Sequence, residues 1–146
     1  MANAKKFNVG LKKFAGDATK QGERYTKAII IGLYRDVILR TPVDTGRARS
    51  NWMLSINSPA RGETKITDSD AKKGSHSGRT KAMVSNADMK LKQGLENASM
   101  VFITNSVPYI KPLDEGHSNQ NRMGIVRPAI DRAKVRAQAL DLAMNE

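Results

Sequence analysis

The chain has 146 residues, which suits a single domain, and only 39% of them are hydrophobic and 5% aromatic. It contains no cysteine, so disulfides and every thiolate metal site are excluded. Its formal net charge of +11 points to nucleic acid, an acidic protein surface or anionic lipid as a partner, weighed against a plain solubilising face.

The basic excess is uneven: residues 1–40 carry 9 basic and 3 acidic side chains, and residues 59–82 carry 6 and 3. The longest apolar stretch, Ala28 to Tyr34, is far short of the roughly 20 residues that span a bilayer. No apolar run follows the N-terminal lysines directly, so the expectation is a soluble intracellular chain with no membrane attachment.

In residues 1–16 and just beyond, Phe7, Leu11, Phe14, Ala15 and Ala18 fall on one helical face. An N-terminal helical arm is expected over 1–16, packed on the body or on a neighbouring subunit. Asp17 is placed to cap a helix that runs to Leu39 or Arg40. Its apolar positions Tyr25, Ala28, Ile29, Gly32, Leu33 and Val37 are widened by Ile30, Ile31, Tyr34 and Ile38, so it is buried on most sides. Asp36 is spaced to pair with Arg40 one turn later.

Thr41-Pro42 stops that helix, because proline disfavours the helical conformation in the residue before it. Asp44-Thr45-Gly46 then reads as a turn, and Thr41, Pro42, Asp44, Thr45 and Gly46 form one backbone-shaping motif. Ser50 to Ser58 alternates, with Ser50, Trp52, Leu54 and Ile56 facing inward, and predicts a half-buried strand. Residues 59–82 are polar and aperiodic and predict a long mobile insertion.

Ser85 or Asn86 is placed to cap a short helix through Ala87, Leu91, Leu95 and Ala98. Met100 to Thr104 predicts a second strand, and Val107 to Leu113 an extended segment whose prolines confine it to a sheet edge. Asp114-Glu115-Gly116 turns the chain. Pro128, at a first helical position, starts a final helix with the stripe Ile130, Ala133, Ala137, Leu140 and Met144. The expected fold class is α+β, with a long N-terminal helix and a C-terminal helix on a small, mostly antiparallel sheet, as one domain over 1–146.

Little in the chain asks for chemistry. His76 and His117 stand 41 residues apart in polar stretches without metal-ligand spacing. Gly74 to Thr80 departs from a phosphate-binding loop in spacing and in having Arg for Lys. Asp114, Glu115 and His117 are the residue types of a hydrolytic site, but a solvated acidic turn explains them more simply. No catalytic residue, metal ligand or cofactor is assigned, and the chain is read as a non-enzyme. Lys5, Lys6, Lys12, Lys13, Arg47, Arg49, Lys72 and Lys73 are candidate contacts to DNA or to a neighbouring subunit, since phosphate contact needs charge alone.

Two motifs in order give the chain a likeness. Thr41-Pro42-Val43-Asp44-Thr45-Gly46-Arg47 follows the long helix, and Asn105-Ser106-Val107-Pro108-Tyr109 with Glu115-Gly116 precedes the last one. This arrangement resembles the tail-completion and neck proteins of long-tailed bacteriophages, the family of minor tail protein Z, over roughly residues 17–145 with a gap at 59–98. The resemblance implies a structural virion protein, assembled in the host cytoplasm, that completes the tail and joins it to the head around the DNA channel. It implies a homo-oligomeric ring, expected to be a hexamer, beside other neck and tail proteins such as a tail terminator and a head-tail connector. Packaged DNA would be met without sequence reading. The alternative from a different class is a free, sequence-nonspecific nucleic-acid-binding protein.

Overall fold

The computed structural model describes residues 7–12, 20–43, 46–66, 68, 75–116 and 123–144. In chain order they form β1 (Phe7–Lys12), α1 (Lys20–Arg40), α2 (Arg47–Ser50), β2 (Trp52–Ile56), α3 (Gly78–Gly94), β3 (Met100–Asn105), α4 (Ile110–Asp114) and α5 (Val126–Met144), with a 3-10 turn at Leu95–Asn97. The fold is α+β. The three strands make one antiparallel sheet in the order β1-β3-β2. Among the described residues no helix is long and apolar enough to cross a membrane.

β3 is the middle strand, and its apolar run suits that place: Val101 and Ile103 are buried and take partners on both sides. In β2 Trp52 and Leu54 are buried while Met53 and Ser55 are half-buried, which is the expected alternation. The strand starts later than predicted, because Ser50 closes the α2 turn. It stops at Asn57, whose φ of 68° is left-handed and whose Oδ1 accepts the Ser99 N–H at 2.8 Å.

Residues 7–12 are a strand, where the spacing of Phe7 and Leu11 predicts a helix. Phe7, Val9 and Leu11 fit a period of two equally well, and Gly10 weakens a helix. The second side of β3 decides between them: its backbone groups need partners, and β1 supplies them through Phe7↔Asn105, Val9↔Ile103 and Leu11↔Val101. The predicted cap Asp17 lies outside the described residues.

α1 runs where the periodicity puts it. Ile30, Leu33, Tyr34, Val37 and Ile38 are buried, at the spacings of one helical face. That face meets α3 and α5, whose Met83, Ala87 and Leu91, and Ala129 and Ala133, are buried in the same core. Asp36 does not pair with Arg40 as predicted. Nearly buried, it faces Arg132 Nη1 at 3.7 Å and Arg136 Nη1 at 3.5 Å across the α1–α5 contact. Gly32 makes room for this: a Cβ there would stand 2.1 Å from Arg136 Nη1.

α3 begins at Gly78, well before the predicted Ser85 or Asn86. Ser77 is its cap, with Oγ accepting the Thr80 N–H at 3.1 Å. Residues 78–82 therefore belong to a helix and not to the insertion. Residues 110–114 are a helical turn where an extended segment is predicted. Pro112 sits in its first turn, where backbone N–H groups have no helical acceptor to lose. The same holds for Pro128, which is third in α5 and not first.

The outer margin of β2 is closed by side chains. Tyr34 of α1 donates its hydroxyl to Trp52 O at 2.7 Å, and Lys90 of α3 donates to Leu54 O at 3.3 Å. Arg79 of α3 donates to Ser50 O at 3.5 Å, just beyond the strand. These carbonyls point away from β3 and are met by helices instead of by a strand.

Candidate functional site

The first motif folds into the joint between α1 and β2. Thr41 follows the last residue of α1, is fully buried, and donates its hydroxyl to Val37 O at 2.6 Å. This satisfies one of the carbonyls that a helix end leaves open. The same hydroxyl accepts the Trp52 indole N–H at 2.7 Å. Pro42 is buried beside it, while Asp44 and Thr45 lie outside the described residues. Gly46 has φ +80°, and a Cβ on it would stand 2.5 Å from the backbone of Asp68. Glycine is required there twice over, for conformation and for space.

The α2 turn that follows holds the insertion through three side chains. Arg47 forms an ion pair with Glu63. Arg49 is fully buried, donates to Ser75 O, and stands near enough to Asp68 to feel its charge. Burial pulls the Arg49 guanidinium below its ordinary pKa, and the Asp68 carboxylate opposes that shift. Asn51 donates Nδ2 to Thr64 O at 3.0 Å and accepts the Thr64 N–H on Oδ1 at 2.7 Å, so its amide pairs as a peptide unit would. Asp68 in turn accepts the Ser77 hydroxyl, which ties the far end of the insertion to the α3 cap.

Two sequence expectations change as a result. The described part of the insertion is fastened to the body and does not float free of it. Arg49 is not available to DNA or to a neighbouring subunit, because its guanidinium is spent inside the fold. Arg47 is partly exposed but already paired.

The second motif meets the first. Trp52 and Asn105 are register partners across β2 and β3. Asn105 donates Nδ2 to Ala48 O at 2.8 Å and accepts the Val107 N–H on Oδ1 at 3.1 Å. It thus anchors α2 with one end of its amide and turns the chain out of β3 with the other. Pro108 and Tyr109 are exposed at the start of α4. Glu115 is exposed, 3.6 Å from Lys111 one turn back, and Gly116 leaves α4 with φ +83°.

Asp114 has a structural use as well. Its Oδ1 accepts the N–H groups of Ile125 at 3.0 Å and Val126 at 2.7 Å, and so caps α5 from eleven residues upstream. A carboxylate held in this way is poorly placed for the hydrolytic role considered for it with Glu115 and His117. His117 lies outside the described residues, as do Lys5, Lys6, Lys13, Lys72 and Lys73, while Lys12 is the last residue of β1.

His76 is exposed on a groove of about 370 Å3 between α1 and α3, shared with Ile31, Arg35, Lys81, Val84, Ser85 and Asp88. Partial burial raises the Asp88 pKa, but Lys92 at 3.3 Å and Lys27 at 3.4 Å more than offset it and hold the carboxylate below its usual range. Among the described residues no group of three or more His, Asp and Glu side chains is placed to hold a metal ion.

Among the polar contacts that sequence reading missed are those of Asn51, Asp68 and Arg79. Each acts on a partner 13 or more residues away, at distances no local spacing encodes. No family model, curated protein or solved structure matches the chain.

Proposed function

We propose that the protein is a structural virion subunit of a phage neck or tail end, a non-enzymatic ring component that completes the tail and joins it to the head around the DNA channel. The observation that carries this reading is the meeting of the two motifs at one buried joint. Trp52 is bound there to Thr41, which in turn holds Val37 O, while Asn105, the register partner of Trp52, holds Ala48 O and the Val107 N–H. Residues that give the chain its likeness to neck proteins are spent on holding a long helix, a sheet and an insertion in fixed relation. That is the requirement of a subunit whose work is geometry. The low hydrophobic content fits the same reading, since heterologous contacts in a ring supply burial that the monomer lacks.

The test is sedimentation and electron microscopy of the purified protein, alone and mixed with tails of the phage that encodes it. Rings, or a discrete layer at the tail end, are the expected result. A protein that stays monomeric at all concentrations and never joins tails overturns it. The alternative of nonspecific nucleic-acid binding is favoured by Arg61 and Lys65, which stand exposed on the insertion. It predicts DNA binding by the monomer that weakens steeply with added salt.

A further inference from the structure

We propose that the groove between α1 and α3 binds a small organic phosphate, a monoester whose carbon body lies on an apolar floor while Arg35 and Lys81 hold its charge. This inference stands on the groove alone and does not need the neck reading.

Arg35 is half-buried on α1 and lines the groove. Lys27, Arg40, Arg47, Arg79, Lys111 and Arg136 are half-buried cations as well, and each of them is engaged within the fold. Among the described residues no carboxylate or carbonyl holds Arg35. Its own helix cannot supply one, because the positions one turn away are Ile31, Gly32, Ile38 and Leu39. Across the groove stands Lys81 of α3, exposed and likewise unpaired among the described residues, with His76 opening on the same space. The carboxylate in the lining, Asp88, is already held by Lys27 at 3.4 Å and Lys92 at 3.3 Å. A half-buried guanidinium without a counter-charge loses hydration that nothing in the fold replaces. An anion in the groove replaces it.

The groove also fits a body behind the charge. Ile31 and Val84 are half-buried and packed against the core, so they form an apolar, fixed floor. The space of about 370 Å3 falls within the span of small-molecule sites and exceeds what a bare phosphate fills. A carboxylate has two oxygens and is satisfied by one guanidinium. A phosphate monoester offers three terminal oxygens and about two negative charges, which suits cations on opposite walls with the Ser85 hydroxyl and the His76 imidazole beside them.

Charge along the seam limits the length of the ligand. Beyond the groove, Arg24, Lys27 and Lys92 stand among Glu23, Glu96 and Asp88, so the charges cancel. No positive track leads a running phosphodiester strand onward, and the groove suits a discrete ligand better than nucleic acid.

The test titrates the full chain with phenyl phosphate, inorganic phosphate, phenylacetate and a short DNA duplex by calorimetry, and maps the site by amide NMR. Phenyl phosphate is expected to bind at one site and to shift the amides of Ile31, Arg35, Lys81 and Val84. Inorganic phosphate lacks the body and phenylacetate lacks the third oxygen, so each should bind about tenfold more weakly or worse. Arg35→Gln and Lys81→Gln should each weaken phenyl phosphate about tenfold or more without lowering the melting temperature, since neither cation has a bond in the fold to lose. Arg61→Gln removes the same charge from the insertion and should leave binding unaltered. Should Arg35→Gln fail to fold, the exposed Lys81→Gln and the amide map decide the matter. No saturable binding of phenyl phosphate, equal binding of inorganic phosphate or phenylacetate, an equal loss in Arg61→Gln, amide shifts confined to other surfaces, or tighter binding of the duplex each overturns the proposal.

Discussion

The Trp52 indole N–H is donated to the Thr41 hydroxyl across 2.7 Å, so the residue that follows α1 and the residue that begins β2 share one buried bond. The Thr41 hydroxyl in turn donates a hydrogen bond to Val37 O. Replacing Thr41 with valine keeps the shape and removes both roles. A buried donor left unpaired costs about 1–3 kcal/mol, so Thr41→Val should lose about 2 kcal/mol in denaturant unfolding. Thr41→Ser keeps the hydroxyl and should recover most of that loss. Equal stability of the two variants would show that the bond contributes nothing.

Asn105 joins the two motifs, and its removal should be felt at both. Asn105→Ala leaves Ala48 O and Val107 N–H without their partners in a buried setting. The expected loss is about 3 kcal/mol, read from urea midpoints at unchanged slope. Tyr109→Ala, four residues along on the exposed surface, should cost less than about 1 kcal/mol.

Arg49 and Arg47 sit two residues apart and should behave differently. Arg49→Met keeps bulk but leaves Ser75 O without its donor in a buried setting, at a cost of about 1–3 kcal/mol, and takes the guanidinium charge away from Asp68. The insertion should come loose with it, so trypsin should cut after Arg61 and Lys65 faster than in the parent chain. Arg47→Ala breaks a partly exposed pair and should cost less than about 1 kcal/mol. Limited proteolysis followed by mass spectrometry separates the two outcomes.

Tyr34 makes stability depend on alkaline pH. Burial pushes its phenol pKa up, opposed by the charge of Arg79. The unfolded chain gives up this proton near pH 10 while the folded chain keeps it. Above that pH the unfolded state binds fewer protons, so stability falls as pH rises, by up to about 1.4 kcal/mol per unit. Tyr34→Phe should remove this decline and, at neutral pH, lose the bond to Trp52 O. Unfolding curves at pH 8, 10 and 11 check the sign.

The parts of the fold that follow one helical or strand period are legible in the sequence. The buried face of α1 and the Trp52, Leu54 alternation both lie where their spacing puts them. β1 is not, because Phe7 and Leu11 satisfy either period and the choice is made by β3, nearly a hundred residues away. The start of α3 hides behind polar residues: Ser77, Thr80, Met83, Ala87 and Leu91 carry a cap and a stripe, but Arg79 and Lys81 between them read as loop. The turn motif is recognised as a joint, yet the destination of Arg49 is not, since Asp68 and Ser75 reach it only through the folded path of the insertion.

The side chains along β2 guard that margin of the sheet. A sheet open on both sides can pass pairing from molecule to molecule and grow without limit. Here Tyr34 and Lys90 occupy the carbonyls that a further strand at β2 would need. A further strand laid along β2 would have to displace those donors, so this margin resists the edge-to-edge pairing by which the sheets of separate molecules join.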